Sequence, residues 1–316
     1  MLAKRAMARA EQRDPGQQDL GEGVDGIAPL APVRMGEGEM KRDFLAPVVA
    51  IALAVSAMAV SRSASADEAP PMSGGYTNVI PIPVDDPATK AIAGALFKPE
   101  GAGPFPAVVY MVGCGGLHYS AEAALEKSVI DHLLAKGVAT LILDPFTPRN
   151  EGGICYELAT LNEKTLAPYG ARGGNDALAA LRVLKAMPDI DSKRVFLQGY
   201  SYGASASLFA EDPKTPGARD AKIAGVIAYY PYCYGNVEFS APTLILIGGK
   251  DDWTPAGPCE ALKGKPNVEV VVFPGAAHGF NFDFTGDSMG HHMAYDERAT
   301  QDAVRRADAF MDARMK

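Results

Sequence analysis

The chain has 316 residues, 47% of them hydrophobic and 22% charged, with four cysteines, values ordinary for a globular protein. Residues 1–66 carry eight basic and eight acidic side chains, so the formal net charge of −8 belongs wholly to residues 67–316. A modestly acidic domain without a Lys/Arg cluster gives no footing for nucleic acid.

Residues 1–39 are Gly-, Glu- and Gln-rich without periodicity and read as a leader, disordered or lying ahead of a true start at Met35 or Met40. Met40-Lys41-Arg42-Asp43 precedes an apolar stretch over 44–60, followed by Ser61-Arg62-Ser63 and Ala64-Ser65-Ala66. A basic segment, an apolar segment and an Ala-x-Ala site together read as a secretory signal over 40–66, cleaved after Ala66. A membrane-spanning helix is the competing reading. The stretch is short against the ~20 residues a span needs, and Pro47 sits near its start. Lys41-Arg42-Asp43-Phe44-Leu45 is similar to a twin-arginine signal with lysine for the first arginine, and ordinary Sec export is equally open. After cleavage no stable membrane insertion is expected, and the localisation is periplasmic or secreted. Export permits disulfides. Cys114, Cys155, Cys233 and Cys259 admit three pairings.

From 67 to 90 the chain is Pro/Gly-rich and reads as a linker, with the folded domain over 91–316. Strands are expected at 91–97, 107–112 and 138–143, with a helix over 121–135 capped by Gly137. A Pro/Gly-containing excursion over 145–174 leads into an Ala/Leu helix over 175–186. Further strands are expected at 194–198, 224–230, 243–247 and 268–273, and an amphipathic helix over 298–315 closes the chain. Strands alternate with helices and several are apolar throughout, the mark of a parallel sheet covered on both faces. The fold class is therefore α/β. The interval between Tyr230 and Thr243 leaves no room for a lid domain.

The chemistry centres on Gly199-Tyr200-Ser201-Tyr202-Gly203, set between a short apolar strand and a helix-compatible run of small residues. In that context Gly-x-Ser-x-Gly is a nucleophile elbow: the turn is too tight for bulk two positions either side of the serine. After the strand at 243–247 comes Gly248-Gly249-Lys250-Asp251-Asp252, and after the strand at 268–273 comes Ala276-Ala277-His278-Gly279. Serine, acid and histidine follow one another in the chain order of the α/β-hydrolase triad, each in a loop after its own strand. In a parallel sheet such loops share one edge, so His278 would take the proton of Ser201 and Asp251 would orient the imidazole, Asp252 being the alternative acid. Two backbone donors are expected for an oxyanion: the N–H of Tyr202, and that of Cys114 within Gly113-Cys114-Gly115-Gly116.

Gly113-Cys114-Gly115-Gly116, Asp144-Pro145-Phe146-Thr147-Pro148-Arg149, Gly199-Tyr200-Ser201-Tyr202-Gly203, Asp251-Asp252-Trp253-Thr254-Pro255 and Ala277-His278-Gly279-Phe280 together resemble the dienelactone hydrolase family. The resemblance runs from about Ala91 to the C-terminus. It implies a lidless α/β-hydrolase fold, a mostly parallel sheet flanked by helices on both faces, and Asp251 as the acid. Two departures stand out. The best-known members carry a cysteine nucleophile where this chain has Ser201, and a glutamate in the oxyanion loop where Gly113–Gly116 has none. Both point to a general serine esterase acting on small-molecule esters or lactones. Dienelactone (carboxymethylenebutenolide) hydrolysis proper, peptidase activity and a non-catalytic binding module are the alternatives. The family's strand order implies the disulfides Cys114–Cys155 and Cys233–Cys259. Phe146, Tyr202, Tyr234, Trp253 and Phe280 are candidate pocket aromatics, and Arg149 a candidate partner for a substrate carboxylate. His291 and His292 with Asp287 and Asp296 complete no metal-ligand motif, and neither a phosphate-cradling loop nor a dinucleotide fingerprint is present, so no metal or cofactor is expected. The sequence assigns no oligomeric state.

Overall fold

A computed structural model describes residues 69–117, 120–234 and 237–316, so the leader and signal read at 1–66 lie outside the described residues. An eight-stranded sheet has the order β1-β2-β4-β3-β5-β6-β7-β8. Its strands are β1 (Val79–Pro83), β2 (Ala91–Phe97), β3 (Phe105–Met111), β4 (Ala139–Asp144), β5 (Ile190–Tyr200), β6 (Val226–Tyr229), β7 (Thr243–Gly248) and β8 (Val268–Phe273). From β4 through β3 to β8 all pairings are parallel, while β1 and β2 join one edge antiparallel. The buried strands are apolar along their whole length because both faces are covered: every residue of β4, β6 and β7 is buried. This is the α/β-hydrolase fold.

The α-helices are α1 (Ser120–Ala135), α2 (Glu163–Ala186), α3 (Tyr202–Glu211), α4 (Ala218–Ala221), α5 (Ala256–Glu260) and α6 (Glu297–Asp312). Between α1 and α6 lie Gln198, Tyr200 and Tyr229 of the sheet, in a cleft of about 480 Å³. The rings of Tyr110, Tyr200 and Tyr229 stack across β3, β5 and β6 with centroids 5.0 and 4.7 Å apart.

Two expectations fail for physical reasons. The segment read as a linker contains β1, whose Pro81 and Pro83 are tolerated because an edge strand need not donate every N–H. The helix expected from residue 175 begins at Glu163 instead, started by a reciprocal capping box between Asn162 and Thr165. Its glycines are there for close packing against α3. A β-carbon on Gly170 would strike the Phe209 ring, and one on Gly173 would come within 2.6 Å of the Tyr202 hydroxyl.

Candidate active site

The loops after β3, β5, β7 and β8 meet at one rim of the sheet. Strand β5 ends at Tyr200 and α3 starts at Tyr202, so Ser201 alone makes the turn, at φ 53° and ψ −115°. Such a backbone costs a non-glycine residue about 1–3 kcal/mol and persists only where the surroundings over-determine it. Here Ser201 N–H donates to the Tyr229 carbonyl (2.9 Å) and its own carbonyl accepts from Ser205 N–H (3.0 Å). A β-carbon on Gly199 would collide with the carbonyl of Gly203, and one on Gly203 with the carbonyl of Met111.

Asp251 is fastened before it meets the histidine. Its Oδ1 accepts the N–H groups of Trp253 (3.0 Å) and Thr254 (2.7 Å). Its Oδ2 lies 2.8 Å from His278 Nδ1, and the other imidazole nitrogen, Nε2, lies 3.0 Å from Ser201 Oγ. Both Asp251 and His278 are buried. The imidazole is held between the rings of Tyr230, at 4.8 Å and 63°, and Trp253, at 5.1 Å. Hydroxyl, imidazole and carboxylate thus stand in the order that a proton relay requires. Asp252 points elsewhere and accepts from the N–H of His292 (3.2 Å).

A cavity of about 270 Å³ opens at this rim, with Ser201, His278, Gly113, Cys114, Cys155 and Trp253 in its walls. Tyr202 is the first residue of α3, where N–H groups have no partner within the helix. The tyrosine's own side chain is anchored by donating its hydroxyl to the Tyr169 carbonyl (3.1 Å). Two disulfides are present, Cys114–Cys155 with Cα atoms 4.8 Å apart and Cys233–Cys259 with 5.0 Å. Each joins the segments that follow two neighbouring strands, Cys259 lying in α5.

Trp253 lines this cavity, but the expected pocket residues Arg149, Phe146, Phe280 and Tyr234 do not. Arg149 is buried and forks onto Asp176 (2.8 and 2.9 Å), with further bonds to Asp86 and the Pro145 carbonyl. It is held by partners that leave nothing to meet a substrate carboxylate. Phe146 is fully buried against Tyr202, and Phe280 packs fully buried on Tyr230 and Phe273. Tyr234 likewise packs on Phe209, at 4.7 Å. Asp144, the first residue of the Asp-Pro-Phe-Thr-Pro-Arg segment, accepts from Ser73, Phe146 and Thr147, so that motif is a structural tie.

Other residues reach the site that the sequence had given no role. Thr254 Oγ1 lies 2.8 Å from Asp251 Oδ2 and 3.2 Å from His278 Nδ1; its place three residues after Asp251 was the available clue. A hairpin of β9 (Thr285–Ser288) and β10 (His291–Ala294) supplies Asp287, Ser288, Met289 and Met293 to the cavity wall, together with nearby Phe282 and Phe284. His291 stacks on Trp253 (5.0 Å, 11°) and His292 Nδ1 lies 3.1 Å from Asp287. Glu122 enters from α1. Burial, then the charge of Glu126, pushes its carboxyl up to about 8; it stands in the first turn of α1, where an acid is common for helix reasons alone.

The model of the dienelactone hydrolase family matches residues 92–315. The chain belongs to the dienelactone hydrolase family. A Yersinia pestis protein named as a carboxymethylenebutenolidase is 26% identical over 113 residues, 30% of this chain and 40% of that protein, so the match spans well under half of the relative's length. Among solved structures, a dienelactone hydrolase-like promiscuous phosphotriesterase from metagenomic libraries superposes with a TM-score of 0.59 at 20% identity, covering 74% of this chain and 97% of the other. Esterase 2 of Thermogutta terrifontis, in a form phosphonylated by cyclosarin, gives 0.54 at 19% identity over 77% and 96%. These likenesses are of fold.

Proposed function

We propose that this family member is an exported serine hydrolase that cleaves carboxylic esters or lactones through an acyl-enzyme. The observation that carries the reading is the chain of short contacts from Asp251 through His278 to a strained Ser201: 2.8 Å, then 3.0 Å. Ser201 Oγ attacks the carbonyl carbon while His278 Nε2 takes its proton. Asp251 stabilises the imidazolium that forms. The oxyanion rests on the N–H groups of Cys114 and Tyr202, worth about 10²–10³ in rate for each donor in comparable sites. His278 then returns its proton to the leaving alkoxide and, in the second half, activates water against the acyl-enzyme.

The two disulfides support export, since such bonds persist in oxidising compartments. No helix among the described residues is long and apolar enough to cross a membrane. Against a carboxylate-bearing lactone as substrate stands the cavity wall, which contains no lysine or arginine among the described residues.

Replacing Ser201 by alanine is expected to lower kcat for p-nitrophenyl acetate by at least about 10⁴-fold with the fold intact. A fluorophosphonate probe is expected to label the parent protein and leave the variant unlabelled. Undiminished turnover in the alanine variant would refute the assignment.

A further inference from the structure

The hydrolytic scheme leaves one largely buried carboxyl in the cavity wall without a task. Glu122 shares the wall with Gly113, Cys114, Ser201 and His278. Its Oε2 is buried with no hydrogen-bond partner, and its Oε1 lies 3.7 Å from where a β-carbon on Gly113 would stand. The titratable groups that face it are Glu126 on the same helix, Tyr110 of β3, Tyr230 after β6, and His278 and Asp287 across the cavity. With His278 serving as neutral base, none of these offers a positive charge. An ionised carboxylate here would be desolvated without a cation, so the neutral acid is the favoured form, in keeping with its raised pKa. A neutral carboxyl carries an O–H donor. The walls beyond it, Trp253, Phe282, Phe284, Met289 and Met293, are apolar.

We propose that Glu122 is a specificity-determining residue: its neutral carboxyl donates one hydrogen bond to an uncharged oxygen carried by the ester beyond the scissile group, and the cavity rejects esters bearing a carboxylate. The inference rests on the serine-hydrolase reading. A substrate without the acceptor leaves a buried donor unpaired, which is the strong form of discrimination available to a small pocket. A substrate carboxylate would be desolvated in a cavity whose wall, among the described residues, holds no lysine or arginine to compensate it. Above about pH 8 the ionised Glu122 would also oppose the oxyanion forming on Ser201's substrate.

The test compares p-nitrophenyl methoxyacetate with p-nitrophenyl butyrate, which differ by an ether oxygen for a methylene, on the purified protein and on Glu122→Leu and Glu122→Gln. In Glu122→Leu the kcat/KM ratio of the two esters is expected to fall about tenfold, the usual worth of one such bond, while Glu122→Gln, which keeps a neutral donor, holds the ratio within about twofold. The parent protein is expected to cleave the methyl ester of p-nitrophenyl glutarate at least about tenfold better than the free acid. It should also lose kcat/KM above about pH 8, and Glu122→Gln should not. Fluorophosphonate labelling of each protein separates the two readings. Normal labelling with an unchanged ratio in Glu122→Leu overturns the role of Glu122 alone. If Glu122→Leu fails to fold, a persistent alkaline fall in Glu122→Gln does the same. An unlabelled parent protein that cleaves none of the esters overturns the hydrolase reading and this inference together.

Discussion

Thr254 has a single hydroxyl proton and three neighbours for it. Asp251 Oδ2 lies at 2.8 Å, the Tyr230 carbonyl at 3.1 Å and His278 Nδ1 at 3.2 Å. It braces the carboxylate that in turn orients the imidazole, and touches no cavity space itself. Thr254→Val, which keeps the shape and removes the hydrogen bond, is expected to lower kcat about tenfold with KM little changed, read from steady-state kinetics. Arg149 illustrates the opposite case, a residue whose chemistry invites a functional role and whose surroundings consume it. Its side chain is 1% exposed, as is that of Asp176. Arg149→Ala leaves Asp176 buried and uncompensated, so a loss of about 3–5 kcal/mol is expected from urea unfolding. The folded fraction should keep its ester preference.

Among the elements, the β9–β10 hairpin decides the shape of the cavity mouth. It is pinned beside its turn: His291 stacks on Trp253 and hydrogen-bonds to the Ala159 carbonyl (2.8 Å), while the N–H of His292 donates to Asp252. Toward the mouth, Met289 and Phe284 remain 36% and 38% exposed while lining the cavity. Large apolar side chains left in water at a cavity rim serve to limit what enters. Truncating both, Phe284→Ala with Met289→Ala, is expected to raise the hexanoate-to-acetate ratio of kcat/KM several-fold, since about 0.8 kcal/mol is available for each newly buried methylene. Unchanged chain-length preference would remove the hairpin from that role. Four-residue strands rich in Gly, Asp and His carry no period-2 apolar signal, which is why this element was not legible in the sequence.

At the scale of the whole molecule, two acids of α1 are held against ionisation by burial. Burial holds Glu122 at about 8 and Glu126 at about 7, against an ordinary 4.5. A carboxyl whose folded pKa is raised binds its proton more tightly in the folded state, so its contribution to stability is complete below about pH 4.5. That contribution is lost as pH rises toward 8 and is level beyond. Thermal unfolding followed from pH 5 to 8 should therefore give a falling Tm, and Glu122→Gln should flatten the slope. A parallel slope in that variant would mean that other groups govern it. The disulfides act at this same scale: Cys114–Cys155 ties two segments at the cavity wall, and Cys233–Cys259 ties the segment after β6 to α5.

The chain by itself determined the sheet, the elbow and the three residues that face one another across it. Apolar runs of strand length can be satisfied only inside a covered parallel sheet, and Gly199 and Gly203 sit where any side chain would strike backbone. Both are local demands and leave local marks. Tertiary structure alone decided what surrounds them. Arg149 and Phe146 proved to be buried ties because Asp176 and Tyr202 come to them from elsewhere in the fold. The glycines of α2 turned out to be helix contacts because α3 lies against them. Glu122 came to line the cavity only because α1 brings it to Gly113, where burial raises its carboxyl. Such roles belong to the groups that a residue meets, and one strand of letters does not contain the meeting.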